Sequence, residues 1–181
     1  FTATGARSGN MTLAVNALFM QLYLLYSHFM DGFAYAGEAL VGKYAGAADK
    51  RSLRRCVSHL FAWGWSLAAI FAFAYGVFNH EVMSLFSDKP EVVAFAAAYR
   101  WWIALAPIAG MAAFIWDGVF VGLTATRQML LSLAGATAVY FTIYFLFPLA
   151  DANDCLWTAF LAYLAVRGVI LWFCFARENR Y

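Results

Sequence analysis

The sequence predicts an all-α polytopic membrane protein, a bundle of five complete transmembrane helices plus the end of a sixth. Three observations predict this fold class. Hydrophobic residues fill 65% of the 181 positions and charged residues only 12%, whereas a soluble domain is about half apolar and about a quarter charged. The mean hydropathy is +0.69. The apolar stretches are also continuous, without the alternation that is typical of a membrane β-barrel.

The composition excludes several classes of function. A chain of this size has too little interior to hide so much apolar surface from water, so a soluble enzyme, a disordered chain and a nucleic-acid-binding protein are excluded. We expect the lipid bilayer as its partner instead. The formal net charge of +2 is too small to indicate an anionic partner. Three widely spaced cysteines predict buried apolar positions rather than a disulfide framework or a metal site, at Cys56, Cys155 and Cys174.

Five segments are long enough to cross a bilayer, which takes about 20 predominantly apolar residues. The first predicted span covers residues 11–42, and its formal charges are Asp31 and Glu38. The other predicted spans cover residues 56–78, 92–122, 128–150 and 155–176. Residues 1–6 predict the tail of a sixth helix. Because the chain opens at Phe1 without a signal peptide, we expect it to be truncated at its N-terminus, and all 181 residues to form one helical lobe.

The distribution of Lys and Arg predicts how the spans are oriented. The connecting segments are short and polar, over residues 47–55, 79–91 and 151–154. One side of the predicted bundle holds eight cations and the other side two, which are Arg7 and Lys89. The positive-inside rule places the eight cations and the C-terminus in the cytoplasm. Tryptophans near span ends predict an interfacial belt, at Trp101, Trp102, Trp157 and Trp172.

Charged residues inside the predicted spans are the first candidates for transport or gating, because an ionisable group at bilayer depth costs at least a few kcal/mol. Asp31 and Glu38 stand seven residues apart and therefore share one helix face. Two interpretations stay open for these acids. They form a proton or cation site or a gate latch, or Glu38 makes an interfacial ion pair with Lys43 or with the basic residues 50–55.

Asp117 and Arg167 are the other two candidates for transport or gating. Asp117 lies about 25 Å along its helix from Arg100, so these two residues cannot pair. It either accepts hydrogen bonds from helix-terminal donors or binds a basic residue of another span. Arg167 lies in the middle of the last span, where we expect it to find an acid or backbone carbonyl groups. Asp31 and Asp117 are the candidate acids.

Uncharged polar and small residues predict how the helices meet. Four polar side chains either line a cavity or make interhelical hydrogen bonds, at Asn16, Gln21, Tyr35 and Tyr140. The patterns Gly42-x-x-x-Gly46 and Gly118-x-x-x-Gly122 predict close approach of helix backbones. Pro107 predicts a bend in the third span. No catalytic constellation, metal-ligand spacing or phosphate-binding loop can be assembled, so we expect no enzymatic activity, no bound metal and no cofactor.

The stretch DGFAYAGEALVG over residues 31–42, followed by a basic loop, resembles the eighth span of the multidrug and toxic compound extrusion (MATE) family. The resemblance is closest to the DinF-like branch. DGVFVG over residues 117–122 is similar to the end of that family's tenth span, and LFSDKPEVVAFAAAY over residues 85–99 is similar to the loop that enters it. Arg167-Gly168 resembles part of the last span. The resemblance covers essentially the whole chain.

The resemblance implies a transporter of twelve spans in two lobes, with a central cleft for drugs and organic cations. It implies efflux by antiport with H+ or Na+ and alternating access, in the bacterial cytoplasmic (inner) membrane. This chain would supply most of the C-terminal lobe, and its partner would be the missing N-terminal lobe. That missing lobe carries the first-span Asp of the DinF-like branch, so no coupling residue is carried over.

Two alternatives to a drug exporter stay open. One is a lipid-linked oligosaccharide flippase of a related transporter family. A cleft for a pyrophosphate-linked substrate would need several deep cations, and Arg167 is the one deep cation of this sequence. The other alternative is a structural membrane subunit that does not transport.

Overall fold

A computed structural model describes residues 10–146 and 152–178 of the chain. These residues form six helices and no strand: α1 Asn10–Gly46, α2 Lys50–Val77, α3 Asn79–Ser84, α4 Pro90–Gly122, α5 Thr126–Leu146 and α6 Ala152–Glu178. All except α3 are long and apolar enough to cross a membrane, which confirms the predicted fold class. The predicted tail of a further helix at residues 1–6 lies outside the described residues, as does the predicted end of a span at residues 147–150.

The polar segments between the spans are more helical than the sequence predicts. Helix α2 begins at Lys50 rather than near Cys56, because the side chain of Asp49 accepts a hydrogen bond from the backbone N–H of Ser52 at 3.0 Å and caps the helix. The predicted loop over residues 79–91 contains α3, and Pro90 is the first residue of α4. Helix α6 already begins at Ala152. The expectation of polar loops over 47–55, 79–91 and 151–154 was therefore wrong for most of their residues.

Helix α4 occupies the centre of the bundle. It packs extensively against α1, α2 and α6 and also contacts α3 and, more weakly, α5, whereas α5 packs mainly against α6. Two thirds of the most apolar part of α4 is buried. Helices α2, α5 and α6 expose far more of their apolar surface, and an exposed apolar face of this kind is suited to lipid. We therefore expect substitutions in α4 to affect the packing of the whole bundle.

Glycines bring α1 and α4 into backbone contact, as one of the two predicted glycine patterns requires. A Cβ atom at Gly118 would overlap the carbonyl oxygen of Ala34, and a Cβ at Gly122 would lie 2.6 Å from the carbonyl oxygen of Glu38. Gly42 faces Gly122 from the other helix. A Cβ atom at Gly46 would meet nothing within 4 Å beyond the adjacent backbone, so the second half of the Gly42-x-x-x-Gly46 pattern makes no such contact.

The two ends of the bundle have separate apolar cores, and we name the ends after the residues that bound α1. Tyr26, Met111 and Phe120 belong to the core at the Gly46 end. The core at the Asn10 end includes Phe19 and Trp157. The indole of Trp157 is fully buried and packs against the ring of Phe19. The expectation that Trp157 belongs to an interfacial belt was therefore wrong, whereas exposed indoles occur at Trp101 and Trp172.

Candidate functional site

An ion pair joins the centre of the bundle to α6. One terminal nitrogen of Arg167, Nη2, lies 2.8 Å from Oδ1 and 2.7 Å from Oδ2 of Asp117, and donates to both oxygens. The side chains are 22% exposed for Arg167 and 25% for Asp117, so the pair is largely withdrawn from solvent. Of the partners that the sequence predicts for Arg167, the structure selects Asp117.

A glycine follows each charged residue and explains how the two helices bring the charges together. Gly118 follows Asp117 and holds α4 against Ala34 of α1. Gly168 follows Arg167, and a Cβ atom there would lie 2.8 Å from the Cβ of Ala112 in α4. Because neither glycine carries a side chain, the helix axes approach closely. The adjacent charged side chains are then within hydrogen-bond distance.

Two residues of α1 complete a group that we call the charged cluster, made of Tyr23, Asp31, Asp117 and Arg167. Tyr23 and Asp31 both lie within electrostatic range of Asp117. Asp31 is partly buried. The ring of Tyr23 is held edge-on against Phe160 of α6, with centroids 5.2 Å apart. Three helices therefore meet at the cluster.

The charge and hydrogen-bonding capacity of the cluster determine what it can do chemically. When both aspartates and Arg167 are ionised, the two negative charges exceed the positive charge by one. A cluster with net charge −1 attracts a cation or takes up a proton. The Nε of Arg167 is buried and has no hydrogen-bond partner within residues 10–146 and 152–178. In that charge state the cluster therefore has a spare buried donor as well as an excess of negative charge.

The sequence missed Tyr23 as a member of this site. Its signal is weak, because tyrosines are common in membrane helices and their hydroxyl groups often make only packing contacts. The available signal is its spacing, since Tyr23 precedes Asp31 by about two helical turns on the same helix. Eight residues are about 12 Å along the helix axis, however, so the spacing neither places the hydroxyl beside the acid nor shows which helix it faces.

Two other tyrosines, outside the charged cluster, donate hydrogen bonds to the backbone of a neighbouring helix. The hydroxyl of Tyr26 in α1 donates to the carbonyl oxygen of Pro107 in α4 at 3.0 Å. The hydroxyl of Tyr75 in α2 donates to the carbonyl oxygen of Leu22 in α1 at 2.8 Å. Helix α4 continues through Pro107, and the bend that the proline predicts stays a prediction. The carbonyl of Pro107 thus anchors α1 to the middle of α4.

Three of the predicted site residues lie on the surface of α1 rather than in the charged cluster. Glu38 and Gln21 are exposed, and Tyr35 is 70% exposed. A role for these residues in transport or gating, or in lining a cavity, stays a prediction. Their positions make them accessible to lipid, to water or to further parts of a longer chain.

The other two predicted cavity residues make contacts within the bundle. Asn16 is buried, donates through Nδ2 to Oδ1 of Asn153 at 2.7 Å, and accepts from the indole N–H of Trp157 at 2.9 Å. Of the two interpretations that the sequence left open, Asn16 therefore makes interhelical hydrogen bonds, between α1 and α6. Tyr140 is partly buried, and its ring stacks on Tyr144 with centroids 6.3 Å apart.

Comparison with known proteins gives the family of the chain. A family model described as MatE matches residues 2–149. The chain belongs to the MatE family. This match confirms that the motifs at residues 31–42 and 117–122 resemble the multidrug and toxic compound extrusion family. The two motifs contain three of the predicted site residues of this MatE chain, Asp31, Glu38 and Asp117. Its five long apolar helices make this MatE protein a multi-pass membrane protein.

Two relatives match this MatE chain along almost its whole length. DNA damage-inducible protein F of Escherichia coli (strain K12) is 31% identical over 94% of this chain and 37% of its own length. Protein DETOXIFICATION 43 of Arabidopsis thaliana is 24% identical over 92% of this chain and 32% of its own length. The first match confirms the resemblance to the DinF-like branch. The chain spans about a third of the length of the curated relatives it matches.

Proposed function

We propose that the chain supplies most of the C-terminal lobe of a transporter that exports small organic cations by antiport with H+ or Na+. Membership of the MatE family and the five span-length helices support this proposal. The name of the plant relative, Protein DETOXIFICATION 43, agrees with an export role. On this proposal the protein is a transporter rather than an enzyme, and its missing partner is an N-terminal lobe of the same polypeptide.

The charged cluster is the observation that carries the mechanism. Its excess negative charge suits both an organic cation and a coupling ion. Asp31 comes from α1, whereas Asp117 and Arg167 come from α4 and α6. Any movement of α1 relative to the other two helices changes the distance between the acids, and therefore changes the affinity of the cluster for a cation. A ligand can drive a conformational change only through such a difference in affinity between two states.

The distribution of charge supports a defined position in the membrane. Lys43 and the basic residues 50–55 lie at the Gly46 end of the bundle, and Arg127 follows the end of α4. The positive-inside rule then assigns this end to the cytoplasm of a bacterial inner membrane, with the C-terminus on the same side. Alternating access would expose the charged cluster first to one side and then to the other.

The ion pair also weighs against the oligosaccharide flippase. A pyrophosphate-linked substrate needs an excess of positive charge in the cleft. Arg167 lies deep in its helix, but the carboxylate of Asp117 neutralises it. The described residues of the charged cluster therefore carry negative rather than positive charge in excess, which suits a cationic substrate better.

A resistance assay tests the proposal in the full-length parent protein. Asp31→Asn removes the one negative charge of the cluster that Arg167 does not balance, and it keeps the shape of the side chain. We expect drug-sensitive cells that express this variant to lose at least about tenfold of the resistance that the parent confers, because about 1.4 kcal/mol of lost interaction gives that factor.

The matched control is Asp88→Asn, which alters an exposed acid between α3 and α4. This variant should confer the resistance of the parent. Membrane levels of each variant are measured by immunoblotting, so that loss of protein is separated from loss of transport. Unchanged resistance of the Asp31→Asn cells at equal protein level would exclude a role of Asp31 in coupling or gating.

A further inference from the structure

A groove separate from the charged cluster lies between α1 and α2 near the Gly46 end. Its volume is about 450 Å³ and it is open to the surroundings. Its polar lining residues include Ser52, Arg55 and His59 of α2 and Tyr44 of α1. Arg55 and His59 are exposed. Nothing in the proposed transport cycle uses this groove.

The residues from α2 form a single stripe. Ser52, Arg55, His59 and Trp63 follow one another at intervals of three or four residues, so they share one face of the helix. The stripe covers twelve residues, and its ends lie about 16 Å apart along the helix. The hydrocarbon core of a bilayer is about 30 Å thick, so the groove has the depth of one leaflet.

Polarity changes along the groove in the direction expected for a lipid. Ser52 and Arg55 lie within the first two turns of α2, next to the basic connection. Trp63 lies further into the span. The facing stripe of α1 contributes an apolar wall that includes Phe33 and Leu40. A molecule with a polar head and an apolar tail therefore fits the groove in one orientation, with its head toward the Gly46 end.

The charge of the groove selects an anionic head. Arg55 contributes a guanidinium group and His59 a further hydrogen-bond donor, whereas the hydroxyl of Ser52 is already hydrogen-bonded to Asp49. No Asp or Glu is among the described lining residues, and the acid of the facing helix, Glu38, is not one of them. Arginine is well suited to phosphate because its donors are planar and permanently charged. Basic pockets between membrane helices on the cytoplasmic side are typical sites for anionic head groups.

We propose that this groove binds one anionic phospholipid from the leaflet at the Gly46 end. The phosphate contacts Arg55, with His59 as an additional donor, and an acyl chain lies against Phe33 and Trp63. The apolar wall favours a phospholipid over free phosphate, which would leave that wall empty. The gradient of polarity over one leaflet favours a lipid over a segment of protein. The proposal concerns binding and does not depend on the transport activity.

The test is native mass spectrometry of the full-length parent in a neutral detergent, titrated with phosphatidylglycerol. We expect one retained phosphatidylglycerol and a rise in the thermal unfolding midpoint. Phosphatidylcholine should bind more weakly, and inorganic phosphate should neither raise the midpoint nor displace the lipid. Arg55→Gln should weaken phosphatidylglycerol binding about tenfold, because a charge-assisted hydrogen bond is lost at an exposed site.

The matched control is Arg127→Gln, which removes an exposed cation at the start of α5 that does not line the groove. It should retain the affinity of the parent. A second variant, Ala36→Trp, fills the groove from the exposed surface of α1 and should abolish retention. Equal binding by the Arg55→Gln and Arg127→Gln proteins would overturn the proposal. Displacement of the lipid by inorganic phosphate would also overturn the proposal. A parent that retains no phosphatidylglycerol, because another part of the chain covers the groove, would overturn it too.

Discussion

At the scale of single residues, the ion pair between Asp117 and Arg167 is the feature with the largest expected energetic effect. Both charges are mostly withdrawn from solvent, and each compensates the other. Removing one partner leaves the other charge without compensation, which costs more than removing both. The pair therefore acts as a unit, and its contribution is measured by a double-mutant cycle rather than by a single variant.

The first prediction concerns this cycle in the purified full-length parent. Asp117→Asn and Arg167→Gln should each lower the free energy of unfolding by about 1–3 kcal/mol, since about a quarter of each side chain is exposed and part of the loss is recovered from solvent. The double variant should lose less than the sum of the two. Denaturant unfolding in detergent measures the three values, and strictly additive losses would contradict a direct interaction between these side chains.

The members of the charged cluster were partly predictable from the sequence. The cost of placing a charge in lipid identifies Asp31, Asp117 and Arg167 without any structure. It does not identify which acid pairs with Arg167, because the choice depends on the rotation of α1, α4 and α6 relative to one another. Hydroxyl groups carry no such penalty, and Tyr23 therefore gave no comparable signal.

At the scale of helices, the contact between α1 and α4 depends on the absence of side chains at two glycines. The carbonyl oxygens of Ala34 and Glu38 occupy the space that Cβ atoms at Gly118 and Gly122 would need. Backbone atoms cannot move aside as a flexible side chain can. The sequence pattern predicted a close approach, but only the structure shows that α1 is the helix approached.

The second prediction compares two glycines in the full-length parent. Gly118→Ala should force α1 and α4 apart and lower the free energy of unfolding by about 1–3 kcal/mol or more. Gly32→Ala is the matched control, because a Cβ at that position of α1 would meet nothing within 4 Å beyond the adjacent backbone. It should be neutral or stabilise the protein by up to about 1 kcal/mol through helix propensity. Equal effects of the two variants would contradict the described helix contact.

The third prediction concerns the start of α2. Hydrogen bonds from the side chain and backbone N–H of Ser52 hold the pKa of Asp49 below its usual range. The cap therefore stabilises the first turn above the pKa that Asp49 has in the unfolded chain, and this stability is lost as the pH falls through the lowered pKa of the folded state.

Asp49→Ala should accelerate amide hydrogen exchange in the first turn of α2 at neutral pH, whereas the rest of the helix should keep the protection of the parent. Ser58→Ala is the control, because Ser58 is an exposed hydroxyl within the same helix. Exchange in the first turn that is the same for the parent and for Asp49→Ala would show that the cap is not formed.

The bounds of the helices were less predictable than their number. Hydropathy alone predicts loops in the polar stretches next to the spans, although helix formation depends on capping and propensity as well. Asp49 and Pro90 are helix-start signals inside such polar stretches. These signals outweigh the charge of the neighbouring residues at both helix starts.

At the scale of the whole molecule, the order of packing could not be predicted. Lipid is as apolar as a leucine side chain, so the sequence does not distinguish a face that contacts lipid from one that contacts another helix. Helix α4 is central and α5 peripheral, yet both sequences are predominantly apolar. The number of spans and the fold class depend only on length and hydropathy, and these were predicted.

The fourth prediction concerns sidedness in intact cells. In a full-length parent in which the native cysteines are replaced, Arg51→Cys should not react with a membrane-impermeant maleimide added from outside. Asp88→Cys should react under the same conditions. Both positions are exposed in the structure, so a failure to react reports the membrane barrier rather than burial. Labelling at position 51 from outside would contradict the proposed orientation.

The most direct test of the proposed function is transport by the purified full-length parent in proteoliposomes. A fluorescent organic cation such as ethidium is loaded, and an opposing gradient of H+ or Na+ is imposed. We expect ethidium movement that depends on one of the two gradients, that is at least about tenfold slower for Asp31→Asn, and that is unchanged for Asp88→Asn. Ethidium movement that neither gradient accelerates, by a parent shown to be folded, would contradict the proposed antiport.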